Sequence, residues 1–336
     1  MGSSDQITLT HGEGGRAMRQ FLRRTILPVV GNEILAEMGD AAILPQLDEH
    51  PVFTTDSFVV SPLFFPGGDI GSLAIYGTAN DLAVAGAKPL WISLALILEE
   101  GFSLALLERI LDSIAQAAHR AGVQIVTGDT KVAPRGTVDG LFITTSGVGE
   151  RRYPMPGPRS LSPGDELLVS GPLGRHGLAV LAAREQLNFD PPLRSDCAPL
   201  FDAIEALRQA GIAVKAIRDA TRGGVAAVLH EWAEACGKTM VIEGDKIPIT
   251  EDVRGACELL GLDALHMACE GTMVVAVPSG SSDEALSALR RVPVSVGAVR
   301  IGLVSEQRLS PVVVRRVLGQ LVPLDEPTGA PLPRIC

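Results

Sequence analysis

The stretch SLAIYGTANDLAVAGAKPLWISLALIL, residues 72–98, decides how the chain folds. Residues 72–87 read as a helix and residues 90–98, LWISLALIL, as a strand. Working outward, HPVFTTDSFVV (50–60) is strand-like ahead of that helix, and VQIVTG (123–128) and GLFITTSGVGE (140–150) are strand-like behind it. Between them, residues 103–122 place Leu107, Ile110, Leu111, Ile114 and Ala118 at helical spacing, with Glu108, Asp112, Gln116 and Arg120 on the other side. Gly122 closes that helix. Strands and helices in turn give an α/β layer arrangement.

A connector crowded with proline, glycine and serine, RRYPMPGPRSLSPGD (151–165), marks a domain boundary. Beyond it the pattern restarts with a strand at 166–171, a glycine loop GPLGRHG (171–177) and a helix at 178–187. Helices fit 198–211, 223–236 and the region around 282–291, the last flanked by strands at 271–280 and 294–304. From Val322 to Cys336 prolines 323, 327, 331 and 333 favour an extended arm. At about 3.1 Å per residue in polyproline II form, that arm reaches on the order of 45 Å.

The length of 336 residues fits two domains. Apolar residues make up 46% and aromatics 4%, so the core must be built from Ala, Val, Leu and Ile. A net charge of -10 argues against nucleic acid, whose backbone is bound by clustered Lys and Arg. The longest apolar run, PLWISLALIL (89–98), is too short to span a bilayer, and MGSSDQITLTHGEGG lacks a basic segment followed by an apolar one. No membrane association and a cytoplasmic location are the expectation. Cys197, Cys236, Cys257, Cys269 and Cys336 hold no CxxC pair, so reduced thiols are expected, and the six histidines show no paired metal spacing.

Three carboxylates stand out in the first half: Asp56 in TTDS, Asp81 in TANDLAV and Asp129 in TGDTK. Separated aspartates that converge in space suit a magnesium-nucleotide site, with Lys131 beside Asp129 to neutralise phosphate charge. Asp56 and Asp129 also read as turn or capping residues, and residue type alone leaves that open. Asp81, inside an apolar helix, needs a partner. In RDATRGG (218–224), Asp219 and Arg222 precede a helix, and Asp219 is either its N-cap or a further metal ligand. HGEGG (11–15) and GPLGRHG are phosphate-loop candidates, although Glu13 counts against the first, and neither is a P-loop.

HGEGG (11–15), TTDSFVVSPLFFPGGDIG (54–71), GTANDLAVAGA (77–87), LEEG (98–101), VTGDTKV (126–132), RDATRGGV (218–225), ELLGLDAL (258–265) and the terminal PRIC (333–336) occur in one order. With them the chain resembles the HypE family of hydrogenase maturation factors over nearly its whole length. The resemblance implies an α/β (α+β) two-domain PurM-like fold, similar to aminoimidazole ribonucleotide synthetase, selenophosphate synthetase and thiamine-monophosphate kinase. It implies an N-terminal ATP-binding and dimerisation domain over 1–155, a C-terminal α/β domain over 156–321 and a flexible tail over 322–336. A homodimer joined through the N-terminal sheets, with ATP near the subunit interface, is then expected.

The same resemblance makes Asp56, Asp81, Asp129 and Asp219 the Mg2+ and ATP carboxylates, with Asn80, Thr130, Lys131 and Arg222 in the nucleotide site. It makes Cys336 the acceptor of a carbamoyl group from the partner HypF. ATP-dependent dehydration to a thiocyanate follows, and the cyano group passes to the HypC–HypD complex for a [NiFe]-hydrogenase centre. Glu270 in MACEGTM (267–273) is the candidate base for the amide protons. The carboxylate next to Cys336 disfavours a thiolate there, with Arg334 as the compensating charge. Two other readings of the same residues are a small-molecule kinase or ligase sharing the nucleotide site, and a non-enzymatic scaffold whose tail docks on a partner.

Overall fold

The structure is a computed structural model that describes residues 6–12, 15–36, 41–307, 310–327 and 334–336. In chain order the first half comprises α1 (Gly15–Phe21), α2 (Leu27–Val30), α3 (Glu33–Ala36), β1 (Pro51–Phe58), β2 (Phe64–Phe65), β3 (Gly68–Asp69), α4 (Ile70–Val84), β4 (Ala87–Glu99), α5 (Leu104–Ala121), β5 (Gln124–Ala133) and β6 (Leu141–Arg151). One four-stranded sheet runs β1-β6-β4-β5, antiparallel except for β4–β5, which α5 connects as a parallel crossover.

Helix α4 is the axis of this half. Asp69 caps it, accepting from the N–H groups of Gly71 and Ser72, and every α4 residue except Ser72 and Asp81 is buried. A helix buried on all sides must be apolar on all sides, which explains the uninterrupted run in the sequence. It lies close on the sheet because two positions lack a Cβ: one built on Gly77 would meet the Phe58 ring at 2.9 Å, and one on Gly147 would meet the Thr78 methyl at 2.7 Å. Helix α5 is amphipathic as expected, burying Leu107, Ile110, Leu111 and Ile114, and it stops at Gly122 with φ 68°.

The second half holds β7 (Glu166–Val169), α6 (Arg175–Arg184), α7 (Phe201–Gln209), β8 (Ala216–Asp219), α8 (Gly224–Cys236), β9 (Thr239–Glu243), α9 (Glu251–Leu260), β10 (Met273–Val277), α10 (Ser282–Leu289), β11 (Val299–Ser305), β12 (Val312–Arg315) and β13 (Leu321–Pro323). Its sheet runs β13-β12-β9-β11-β7-β10-β8. Alternate residues of the central strands feed two cores. Leu167, Val169, Val274 and Ala276 pack with Val225, Leu229 and Trp232 of α8. Leu168, Val275 and Val277 pack with Ile204 and Leu207 of α7 and Ala285 and Leu289 of α10. Burial on both faces accounts for the wholly apolar β10 and the apolar run Leu167–Val169 of β7.

The two halves share packing. Leu178 and Ala179 of α6 and Val253 and Ala256 of α9 join the core of α4 and α5. Ala83 and Val84 at the end of α4 join the α7 core in return. No helix among the described residues is long and apolar enough to cross a membrane.

The arm expected to be free from Val322 onward is corrected at both ends. Val322 and Pro323 pair in β13 with β12, and Leu324 is buried against the α8 core. His230 Nε2 donates to the Leu324 carbonyl at 3.0 Å. The last three residues are docked against the first half, as described next; residues 328–333 lie outside the described set.

Candidate functional site

Strand β1 alternates, with Thr54 and Asp56 half-buried toward α4 and Phe53, Thr55 and Ser57 outward. Thr54 Oγ1 donates to Asp81 Oδ2 at 2.9 Å, so the partner Asp81 requires on its apolar helix is a hydroxyl from the strand below. Asp219 ends β8 opposite Met273 of β10 and is only 6% exposed; Glu270, three residues before Met273, is 4% exposed. Asp219 is therefore a strand residue and not the helix cap considered from sequence, a place taken by Gly223 at φ 78°.

These four carboxyls converge electrostatically. Burial, then the neighbouring Asp81, raises Asp56 above the ordinary range; burial also raises Asp81, against Thr54, Arg218 and Arg222. Burial, then Asp81, pushes Asp219 up to about 7, with Asp56 adding to it. Glu270 is pushed well up by burial, then by Asp219, Asp196, Asp56 and Asp81. Mutual repulsion among buried acids is the mark of a site built to receive something positive.

Cys336 reaches this cluster. Its carbonyl accepts from Val59 N at 3.2 Å and the Arg334 carbonyl from Ser61 N at 3.2 Å, so the tail end runs antiparallel beside the continuation of β1. Burial, then Glu270, pushes the thiol up to about 12, Arg222 opposing and Asp56 adding. The thiol is thus quiescent as expected, with burial as the first cause. The compensating charge is corrected: Arg334 is spent on the Val59 carbonyl at 2.9 Å and Asp139 at 2.7 Å, and Arg222 is the cation that acts on the sulfur. Arg222 is exposed and holds no salt bridge among the described residues.

Two expected phosphate contacts are corrected. Asn80 is 2% exposed, and its amide is fully used: Nδ2 donates to the Ala198 and Glu270 carbonyls at 3.0 and 3.3 Å, and Oδ1 accepts from Leu200 N at 2.8 Å. It is a strut between α4 and the second half. In GPLGRHG the N–H groups of Leu173, Gly174 and Gly177 go to Pro248 O, Cys269 Sγ and Ala268 O, leaving none of these three for an anion. The residues on which the HGEGG reading turned, Glu13 and Gly14, lie outside the described set.

Asp129, Thr130 and Lys131 are elsewhere. They lie in the middle of β5, the edge opposite β1, and the register runs Asp56–Thr145–Leu94–Gly128 across the sheet. Three strand spacings make about 14 Å between those edges. Asp129 and Lys131 point to the outer face, 55% and 65% exposed and 3.8 Å apart, while Thr130 is buried inward. An apolar cavity of about 160 Å³, lined by Met18, Leu22, Leu96, Ile125 and Thr130, opens beside them. A larger cavity of about 590 Å³, lined by His50, Lys88, Arg151 and Arg208, contains none of the site residues.

Asp56, Asp81 and Asp219 form an all-oxygen donor set, and Glu270 Oε1 is buried without a hydrogen-bond partner. That chemistry fits a hard cation. Among the described residues no three acidic, His or Cys groups are placed to hold a metal ion by themselves. Mg2+ typically keeps waters and phosphate oxygens in its shell, so an open set of this kind suits it. Sequence reasoning missed Ser195, and it missed Asp196 and His176, whose partners Glu270 and Ile335 lie 74 and 159 positions away.

Residues 38–151 match the family profile for the N-terminal domain of AIR synthase related proteins, and residues 162–314 match that for the C-terminal domain. The chain is 47% identical over 338 residues to carbamoyl dehydratase HypE of Escherichia coli (strain K12), covering 99% of this chain and 100% of that protein. A crystal structure of the hydrogenase maturation protein HypE in complex with ATP superposes with a TM-score of 0.93 at 41% identity, covering 98% of this chain and 99% of that one. A HypE chain in a HypE–HypF complex superposes with a TM-score of 0.80 at 44% identity, covering 91% and 99%.

Proposed function

The chain belongs to the HypE family of carbamoyl dehydratases, and from that premise we propose that Cys336 carries a carbamoyl group which the Asp56, Asp81, Asp219 and Glu270 cluster converts to a thiocyanate. The enzyme is an ATP-dependent carbamoyl dehydratase of hydrogenase maturation. The observation that carries the site assignment is the docked tail: Cys336 O accepts from Val59 N at 3.2 Å, three residues past Asp56 on the same strand edge, close enough to the buried acids for Glu270 and Asp56 to act on its sulfur.

The carbamoyl oxygen of Cys336–S–C(=O)NH2 attacks the γ-phosphate of ATP, releasing ADP and one amide proton. The C–O bond of the resulting phosphate ester then breaks, phosphate leaves with the oxygen, and loss of the second N–H proton gives Cys336–S–C≡N. Arg222, exposed and without a salt bridge among the described residues, faces the developing phosphate charge and stabilises it. Glu270 takes the amide protons; its raised proton affinity suits it to a weakly acidic N–H. Asn80 and Asp196 hold the Glu270 backbone in place. Bound Mg2+, held by Asp56, Asp81 and Asp219, would supply charge neutralisation on the phosphates.

Asp129 and Lys131 cannot join this cluster within one chain. We assign them to the cluster of a second copy, brought there by a homodimer through the outer face of the four-stranded sheet, where Phe53 is 68% exposed. On this reading residues 1–155 bind ATP and dimerise, 156–321 complete the site, and HypF and the HypC–HypD complex are the donor and acceptor of the group on Cys336.

Mass spectrometry of the C-terminal peptide tests the proposal. Supplied with a HypF-type carbamoyltransferase and its substrates, Cys336 should gain a carbamoyl group and lose one water only when ATP is added. A modification that stays on another residue, or a carbamoyl group that survives ATP, overturns it.

A further inference from the structure

Resting on that reading, we infer that the adjacent pair Ser195–Asp196 is a positioning bridge, one residue setting the terminal sulfur through His176 and the next setting the base Glu270.

The tail is held by its backbone. Each of its last three carbonyls has a partner: Arg334 O accepts from Ser61 N at 3.2 Å and from Arg184 Nη2 at 2.6 Å, Ile335 O from His176 Nε2 at 2.6 Å, and Cys336 O from Val59 N at 3.2 Å. His176 is fully buried, against the edge of Phe65. A carbonyl can only accept, so Nε2 carries the proton and Nδ1 must accept, which it does from Ser195 Oγ at 2.9 Å. Ser195 Oγ accepts in turn from Cys197 N at 3.0 Å, so the direction of every bond in the chain is determined. Burial lowers the proton affinity of His176, which keeps the ring in this neutral tautomer.

The next residue faces the other way. Asp196 Oδ1 accepts from Glu270 N at 3.0 Å, and Oδ2 from Gly271 N at 3.1 Å and Thr272 Oγ1 at 2.9 Å. The loops cannot slide: a Cβ on Gly271 would lie 1.9 Å from the Asp196 carbonyl oxygen, and one on Gly67 would lie 2.7 Å from that of Ser195. The path from tail to base is Ile335 carbonyl, His176, Ser195, the peptide bond, Asp196, Glu270. Carrier and base are thereby registered through one held segment, so the tail can leave for a partner and return to the same place.

The test uses full-length His176→Ala, His176→Gln and Asp196→Asn. Three quantities are read: iodoacetamide labelling of Cys336 by peptide mass spectrometry, single-turnover dehydration of the carbamoylated enzyme, and ATP binding. Losing a buried hydrogen bond is worth roughly 5- to 100-fold in an equilibrium. His176→Ala should raise Cys336 labelling by about tenfold and slow dehydration by a similar factor, with ATP affinity unchanged. Gln can donate to Ile335 O and accept from Ser195, so His176→Gln should recover most of both. Asp196→Asn should slow dehydration while leaving labelling as in the wild type. Unchanged labelling in His176→Ala, or no recovery in His176→Gln, overturns the inference, and His176→Gln alone decides it if the alanine variant does not fold. Absence of thiocyanate in the wild-type enzyme overturns the dehydratase reading, while the labelling arm still judges the clamp.

Discussion

Asp219 and Asp129 look alike in the chain, each in a short polar motif after an apolar strand, yet they occupy opposite physical settings. Asp219 is 6% exposed, surrounded by other acids and pushed up to about 7. Asp129 is 55% exposed on the far edge of the other sheet, 3.8 Å from a lysine and about as solvated as a surface residue. The first setting stores unfavourable charge that only a cation or a proton relieves; the second stores nothing. On the proposed dimer, the difference separates a half-site within one chain from a half-site that another copy presents.

The strongest way to break this division is to remove one inner carboxylate. Asp81→Asn should lower ATP-dependent dehydration about 100- to 1000-fold, the usual cost of one charge-stabilising group, while carbamoylation of Cys336 continues. Turnover measured by phosphate release would check it. A loss of less than about tenfold would place the chemistry elsewhere.

The next effect is on stability and has the opposite sign from activity. Asp219 binds its proton more tightly folded than unfolded, so its contribution to stability is full below the ordinary carboxylate value of 3.8 and is lost as pH rises through about 7. The difference amounts to on the order of 4 kcal/mol. Asp219→Asn removes the penalty. Without nucleotide or divalent cation, its Tm at pH 8 should exceed that of the wild type, and the gap should close as pH falls from 7 toward 4. Equal Tm curves in calorimetry would mean that the carboxyl is solvated and that the inner cluster is no cluster.

How much of this was legible depended on where each residue finds its partner. Asp81 announced itself, because a charge inside an apolar helix needs a neighbour whatever the fold. The amphipathic α5 and its Gly122 stop are local patterns and were readable. Asn80 was misassigned to phosphate because its partners, Ala198, Leu200 and Glu270, lie more than a hundred residues away. His176 could be read only as a satisfied histidine, since the carbonyl that satisfies it is 159 positions on. The proline content of the tail spoke for extension, yet Arg334 bends back at φ 53° to dock, and proline content carries no information on where such a segment docks. Motif order united Asp56 and Asp129 in one site; only the register shows that two strands separate their own.

The outer half-site should yield to complementation. Lys131→Ala should lower turnover by about 10- to 100-fold as one lost phosphate contact. Mixed with Asp81→Asn chains under exchange, it should regain about a quarter of the wild-type sites, because half of randomly paired C2 dimers are mixed and each holds one intact composite site. Two inactive chains that stay inactive together would put Lys131 and Asp81 in separate functions.

The smallest effect completes the contrast. Asp129→Asn removes a charge paired with Lys131 at 3.8 Å, both side chains more than half exposed. An ion pair in that setting is worth under about 0.5 kcal/mol, because water screens it and two mobile side chains must be held to form it. The Tm of Asp129→Asn should therefore stay within about a degree of the wild type at every pH where Asp219→Asn departs from it. Turnover should nonetheless fall, since the proposed dimer gives this carboxylate its task in the cluster of a second copy. A Tm shift as large as that of Asp219→Asn would show that Asp129 is buried by the partner already in the resting dimer, and the division into a charged inner half and a solvated outer half would then hold only for the separated chain.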